Sequence, residues 1–119
     1  MASGEGDYGD AATMLALRQL YAGYAWADVA SLEPAAAAGR AVRVRGAAQA
    51  VRAVGRRVAF LVLRQGAATV QCVVAGGDGT VRGEAELGVR VDVAGVVSLP
   101  WEPIRGSTQQ VEIQVEKLH

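Results

Sequence analysis

The sequence predicts an all-β domain that follows a short, partly helical N-terminal extension. From residue 40 onward, short valine-rich segments are separated by glycine-containing turns, which is typical of strands in an all-β fold. Within these segments apolar and polar residues alternate with a period of two, as in strands that cover a core with one face. We expect strands at residues 41–53, 57–64, 68–75, 89–99 and 109–117.

The number and spacing of these strands narrow the architecture. Five strands with a longer connection between the third and the fourth fit a five-stranded Greek-key barrel of the OB type. An SH3-like barrel or a small sandwich fits the strand count nearly as well. The 119 residues, 51% of them hydrophobic, suffice for one domain with a modest core. We therefore divide the chain into an extension at residues 1–39 and a barrel domain at residues 40–119.

Two parts of the extension have a recognisable pattern. The helix formers Ala, Leu, Met, Arg and Gln dominate from Ala11 to Leu20, which predicts a short helix. Trp26, Val29 and Leu32 follow at a spacing that favours one more helical turn packed against the barrel. Residues 34–39 are predicted to form a connector.

Alternation along the predicted strands assigns polar residues to the outer face. In the second strand, Phe60 and Arg64 share the outer face, because an unpaired arginine is costly to bury. In the third strand, Thr69 and Gln71 are predicted to point outward. In the fifth strand, Glu112 does so.

The charged residues are unevenly distributed. The 12 basic and 12 acidic residues cancel, yet seven arginines and no acidic residue lie in residues 40–64. These arginines include Arg43, Arg45 and Arg52, and the one aromatic residue among them is Phe60. Phosphate-binding cations beside a ring on which a base can stack are what single-stranded nucleic acid needs. We therefore expect the first three strands to present one cationic surface around Phe60; the alternatives are a core phenylalanine and ordinary surface arginines.

Several other functions lack support in the sequence. No apolar stretch is long enough to span a membrane, and no His, Cys, Asp and Glu residues have metal-ligand spacing. We predict no catalytic residue and no cofactor; the only histidine, His119, is expected to be disordered. Residues 76–80 match a nucleotide-binding motif of lipid and NAD kinases, but a hairpin loop explains them without the large α/β domain of those enzymes. Cys72 is predicted to be a small buried side chain.

Four segments carry a more specific signal. They are AFLVLRQ at residues 59–65, TVQCV at 69–73, VDVAGVV at 91–97 and PIRGSTQQVEIQV at 103–115. Together they closely resemble the N-terminal anticodon-binding domain of eukaryotic cytosolic aspartyl-tRNA synthetase. The resemblance spans most of residues 8–118 and implies an OB-fold barrel, in agreement with the strand pattern.

The resemblance also implies roles for individual residues. In this family the domain binds the G-U-C anticodon of the aspartate tRNA. The phenylalanine that stacks on an anticodon base corresponds to Phe60, and the glutamine that hydrogen-bonds to anticodon bases corresponds to Gln71. The strand-one arginine corresponds to Arg52 and the strand-five glutamate to Glu112. A plain solvated glutamine and a surface glutamate paired with an arginine are the alternatives. The remaining predicted nucleic-acid contacts are Arg43, Arg45 and Arg64.

The chain departs from the family pattern in three places. Ala47, Gln49 and Ala50 stand where the family has a further arginine, a histidine and a threonine in the first strand. The connection between the third and fourth predicted strands is too short for the family's helix of several turns. The chain also stops before the class II catalytic domain, so we expect it not to catalyse aminoacylation by itself. As a fragment it would be part of an aspartate–tRNA ligase and would dock onto that domain.

The expected partner is therefore tRNA, through the anticodon loop of the aspartate tRNA, and not a membrane. The acidic first residues lack the cationic start of a secretion or transit signal, which predicts a cytoplasmic protein. Two alternatives stay open: a generic OB protein that binds single-stranded RNA or tRNA, and a β-barrel that binds another protein.

Overall fold

The computed structural model describes residues 11–75 and 87–119. The N-terminal part contains helix α1 (Ala11–Leu20), strand β1 (Ala25–Trp26), a 3-10 helix (Val29–Ser31) and helix α2 (Pro34–Ala37). The later strands are β2 (Ala41–Val54), β3 (Val58–Gln65), β4 (Ala68–Ala75), β5 (Arg90–Ser98) and β6 (Glu112–Leu118). The kinase-like motif and most of the connection between β4 and β5, which we predicted to be shortened, lie outside the described residues.

The five long strands close into a barrel. The hydrogen-bonded order is β1-β2-β3-β4-β6-β5, and β5 also pairs with β2. Every pair among the long strands is antiparallel except β4 and β6, which run parallel. A closed Greek-key barrel of five strands is the OB fold. The predicted OB-type barrel with a short N-terminal helix is therefore confirmed, and the SH3-like barrel and the sandwich are wrong.

Two glycines allow the strands to bend where backbones approach closely. The first half of β2 pairs with β5 and its second half with β3. Near this change of partner, a Cβ on Gly46 would lie 2.4 Å from the carbonyl oxygen of Arg64. On β5, a Cβ on Gly95 would lie 2.1 Å from the carbonyl oxygen of Gln114, beside a shift in register. No side chain fits at either place, as is common where a barrel turns a corner.

The barrel interior is filled by aliphatic side chains, and the predicted burial of Cys72 is confirmed. Leu61, Leu63 and Cys72 are fully buried, and burial raises the pKa of the Cys72 thiol to about 12. Thr69 differs from its prediction, since it was predicted to point outward and is 5% exposed. Its backbone N–H donates to Oγ1 of Thr108 and its own Oγ1 accepts from the Thr108 N–H, each at 2.8 Å. The loop before β6 therefore covers Thr69.

The N-terminal segment packs against the barrel. Val29 and Leu32 are buried in the same core as the strands. The Val29 N–H donates to Oε1 of Gln65 at 3.0 Å, and Nε2 of Gln109 donates to the Leu32 carbonyl at 3.0 Å. Part of the predicted helical turn forms as the 3-10 helix at Val29–Ser31. Trp26 does not belong to that turn, because it lies in β1, which pairs in parallel with β2. Residues 34–39 were predicted to be a connector, and they contain helix α2. None of the helices in the described ranges is long and apolar enough to cross a membrane.

Candidate nucleic-acid interface

The strand register places four predicted contact residues in two neighbouring rows on the outer face. In the first row Arg52 of β2 pairs with Phe60 of β3, which in turn pairs with Val73 of β4. In the second row Gln71 of β4 lies beside Glu112 of β6, through the parallel pairing of these two strands. Alternate residues of a strand share a face, so the two rows lie side by side.

These rows and the loop at residues 99–111 line an open cleft of about 920 Å³, which we call the cleft. Its size lies near the upper end of the range for pockets that hold small molecules. The loop connects β5 to β6 and contributes residues 100–106 to the lining. The lining residues that matter below are Arg52, Phe60, Gln71, Trp101, Arg105 and Glu112.

Phe60 lies on the outer face, as the alternation predicts. Its side chain is half-buried, and the guanidinium carbon of Arg52 lies 5.5 Å from the centroid of its ring. A guanidinium at this distance is attracted by the electron-rich face of the ring. None of the described acidic residues forms an ion pair with Arg52. The alternative of a core phenylalanine is therefore excluded, and the cleft contains a ring and a cation without an anionic partner among the described residues.

Gln71 and Glu112 form a part-buried pair in the cleft. Nε2 of Gln71 donates to Oε2 of Glu112 at 2.6 Å. The alternative of Glu112 paired with an arginine is therefore wrong. This bond fixes which end of the Gln71 amide is the donor end. It leaves Oε1 and the second Nε2 hydrogen of Gln71, together with the other oxygen of Glu112, for a ligand.

Arg43 and Arg45 lie outside the cleft lining, which corrects the expectation of one continuous cationic surface. Asp92 of β5 is 4% exposed and accepts from Nη2 of Arg43 at 2.9 Å and from Nε of Arg45 at 2.6 Å. The guanidinium carbon of Arg43 lies 3.8 Å from the Tyr21 ring centroid and 4.2 Å from that of Trp26. We call these five residues the clip, because they join the N-terminal segment to the barrel.

The arginines of the clip keep Asp92 ionised. Burial raises the pKa of Asp92, but the hydrogen bonds from Arg45 and Arg43, together with their charges, lower it by more. Its pKa therefore lies below the ordinary value of an aspartate. His119 exchanges backbone hydrogen bonds of 2.9 and 3.0 Å with Asp92, so the prediction that His119 is disordered is wrong. In the part of the chain that the structure describes, no group of three or more His, Cys, Asp or Glu residues could hold a metal ion.

Arg64 takes the predicted outer face but lies outside the cleft lining. It donates to Oε1 of Gln49, which does line the cleft, and to the carbonyl of Gly66 at 3.2 Å. Sequence reasoning missed Asp92 and Trp101. The signal for Asp92 was a lone carboxylate in a valine-rich strand, and the signal for Trp101 was a tryptophan between two prolines of a loop.

Comparisons with known proteins identify similar chains among tRNA synthetases. No protein-family model matches this chain. Aspartate–tRNA ligase 2, cytoplasmic, of Arabidopsis thaliana is 39% identical over an alignment of 105 residues that covers 82% of this chain and 19% of that protein. Aspartate–tRNA ligase 1, cytoplasmic, of the same plant is 36% identical over 118 residues, 95% of this chain and 22% of that protein. The chain therefore spans about a fifth of the length of the curated relatives that it matches.

Solved structures show the same pattern. An aspartyl-tRNA synthetase from Entamoeba histolytica superimposes with a TM-score of 0.68 at 30% identity, over 84% of this chain and 22% of that one. An asparaginyl-tRNA synthetase from Pyrococcus horikoshii superimposes with a TM-score of 0.64 at 26% identity, over 78% of this chain and 22% of that one. In both, the shared barrel is a small part of a larger enzyme.

Proposed function

We propose that this chain is a tRNA-binding module of an aspartate–tRNA ligase. The reason is its homology to the N-terminal region of cytoplasmic aspartyl-tRNA synthetases. Residues 40–119 form its anticodon-binding domain and residues 1–39 an extension of it. The module binds the anticodon loop of the aspartate tRNA in the cleft and docks onto a class II catalytic domain, which carries out aminoacylation. It acts in the cytoplasm, the compartment for which the curated relatives are named.

One observation carries this proposal: a ring, an oriented amide and a cation line the same cleft. An unpaired anticodon base offers a flat face and a hydrogen-bonding edge, and proteins read such bases by stacking and by contacts to that edge. Phe60 stacks on the face of one base, Gln71 bonds the edge of a base, and Arg52 contacts a phosphate. These are the positions that the family resemblance assigns to the anticodon.

Glu112 makes the reading by Gln71 more selective. A uracil edge presents one N–H donor beside carbonyl acceptors. Oε1 of Gln71 accepts from that N–H, and the second Nε2 hydrogen donates to a carbonyl. Because Glu112 already holds the amide, Gln71 loses little conformational freedom when RNA binds. Glu112 keeps one oxygen with which to accept from a base amino group.

The other predicted arginines have lesser roles in this proposal. Arg64 supports the rim through Gln49 and offers its charge to the RNA backbone. Arg43 and Arg45 donate to Asp92 and lie outside the cleft lining, so in this proposal they act on RNA only at long range.

The test compares two anticodon stem-loops, one with G-U-C and one with its middle base changed, by fluorescence anisotropy. We expect the G-U-C loop to bind more tightly by about 1–3 kcal/mol, the usual discrimination of a good two-bond contact to a base. Equal affinity for both loops would contradict anticodon reading and leave a generic RNA-binding barrel. Affinity that does not change with salt would contradict the proposed phosphate contacts, because such contacts release counterions. Absence of binding to both loops would contradict RNA binding and leave the barrel that binds another protein.

A further inference from the structure

Trp101 is an aromatic residue of the cleft to which the proposed function gives no role. It lies in the loop between β5 and β6, lines the cleft, and is 102% exposed. Tryptophan has the largest apolar surface of any side chain and usually buries most of it. No described residue covers this ring, so its apolar surface remains available to a ligand in the cleft.

The loop that carries Trp101 is anchored on both sides. At its start, Oγ of Ser98 accepts from Nε2 of Gln114 at 3.0 Å. Farther along, the side chain of Gln110 accepts from the Ile104 N–H at 2.8 Å and donates to the Ile104 carbonyl at 3.0 Å. The reciprocal bonds between Thr108 and Thr69 then join the loop to β4. These bonds hold the loop beside the cleft, while the ring of Trp101 stays exposed to solvent.

The cleft therefore has two aromatic residues on different elements, Phe60 on β3 and Trp101 on the loop. Each ring can take one base, and proteins that bind single strands stack successive bases on successive rings. Arg105, on the same loop, also lines the cleft and brings a cation for the phosphate that joins two nucleotides. A ring with a nearby arginine fits a nucleotide better than it fits an apolar protein surface.

We infer that Trp101 is a second stacking platform, which receives the unpaired base next to the one that Phe60 receives. This inference rests on the proposed function, since it requires single-stranded RNA in the cleft. It extends the contact from one base to two and places part of the affinity on a loop residue. Stacking tolerates any base, so Trp101 contributes affinity without sequence preference.

The experiment measures binding of the G-U-C anticodon stem-loop by fluorescence anisotropy to the wild-type chain and to four variants, one of which is Phe60→Ala. We expect Trp101→Ala to weaken binding about 5- to 150-fold, the range for loss of one stacked base. Trp101→Phe should recover most of the affinity because it keeps a ring. Leu99→Ala is the matched control, since Leu99 is exposed in the same loop but does not line the cleft, and it should bind as the wild type does.

A second arm identifies the base. Loops that lack one base at a time, with the backbone intact, are titrated against the wild type and Trp101→Ala. For one of these loops, removal of the base should weaken binding to the wild type as much as Trp101→Ala weakens binding of the intact loop. Binding of that loop should not weaken further when Trp101 is also replaced by alanine. This base should be next to the base whose removal weakens binding as much as Phe60→Ala does.

The outcomes separate the inference from the proposed function. If Phe60→Ala weakens binding while Trp101→Ala behaves like Leu99→Ala, the second platform is wrong and anticodon binding stands. A different result is that removal of each base weakens binding to Trp101→Ala by the same factor as binding to the wild type. Trp101 would then stack on no base, and the inference would also be wrong. If the wild-type chain does not bind the stem-loop, the proposed function fails and the inference with it.

Discussion

The clip and the cleft both combine arginine with aromatic rings, but only in the clip does the guanidinium group have a carboxylate partner among the described residues. In the clip, Arg43 and Arg45 donate to buried Asp92, and both guanidinium groups lie over the ring of Trp26. In the cleft, Arg52 lies over Phe60, and no ion pair joins it to any residue that the structure describes. In the clip the arginines have a carboxylate partner within the protein, whereas Arg52 offers its cation to a ligand.

This difference shows that a cationic stretch of sequence does not by itself define a binding surface. Asp92 neutralises one of two arginine charges and uses donors that a phosphate would need. Burying such a carboxylate is tolerated only because both arginines bond it. We therefore assign the clip to stability and the cleft to ligand binding.

The largest expected effect is on stability, from loss of the clip carboxylate. Asp92→Ala leaves the mostly buried Arg43 without its charged partner, and we expect a loss of about 3 kcal/mol in the free energy of unfolding. Urea denaturation measures it. Glu33→Ala removes an exposed carboxylate and should change stability by no more than about 0.5 kcal/mol. Equal stability of the two variants would contradict the structural role of the clip.

Acid should remove the same contribution from the wild type. The folded-state pKa of Asp92 lies below its ordinary value of about 3.9. A lowered pKa means that its stabilisation is complete above the ordinary pKa and is lost as the pH falls through the folded-state value. We expect the stability of Asp92→Ala to fall less steeply below about pH 4 than that of the wild type. Parallel curves would show that Asp92 gains nothing from its arginines.

Removing one aromatic side chain from each cluster should produce opposite results. Phe60→Ala should reduce affinity for the G-U-C stem-loop by about 1–3 kcal/mol with little change in stability, because Phe60 faces the cleft. Trp26→Ala should reduce stability by about 1 kcal/mol, through lost cation–π contacts, and leave the affinity unchanged. Anisotropy and urea denaturation of both variants measure this. If Trp26→Ala weakens RNA binding as much as Phe60→Ala does, the two clusters do not have separate functions.

The smallest expected effect concerns base discrimination in the cleft. Glu112→Gln removes the charge that holds the donor end of Gln71, so its amide can turn over. We expect the preference for G-U-C over the loop with a changed middle base to fall by about 1 kcal/mol, the usual net worth of one hydrogen bond. Glu116→Gln changes the next outward carboxylate of β6, which bonds Tyr24 instead, and should keep the preference. An unchanged preference in Glu112→Gln would mean that Gln71 needs no fixed orientation.

Local patterns predicted most of the barrel. The period of two placed β2 to β5 within about a residue at each end and turned Phe60 and Gln71 outward, because alternation is a property of each strand alone. The start of β6 was placed too early, since Gln109 bonds β4 and Gln110 bonds the loop instead of continuing the strand.

The clip was not predictable in the same way. Asp92 is far from Arg43 and Arg45 along the chain, and only the antiparallel register of β2 and β5 brings them together. Trp26 was assigned to a helical turn because its spacing to Val29 fits one, but pairing with β2 prevails over that weak local preference. Trp101 was missed because a loop residue carries no periodic signal.

The most direct test of the separation between the clip and the cleft is to titrate the ¹⁵N-labelled chain with the G-U-C stem-loop and follow each amide by NMR. We predict that the amides around Phe60, Gln71 and Glu112 shift strongly, while those of Trp26, Arg43 and Asp92 stay in place. The largest shifts at the clip, with the cleft unchanged, would contradict the account.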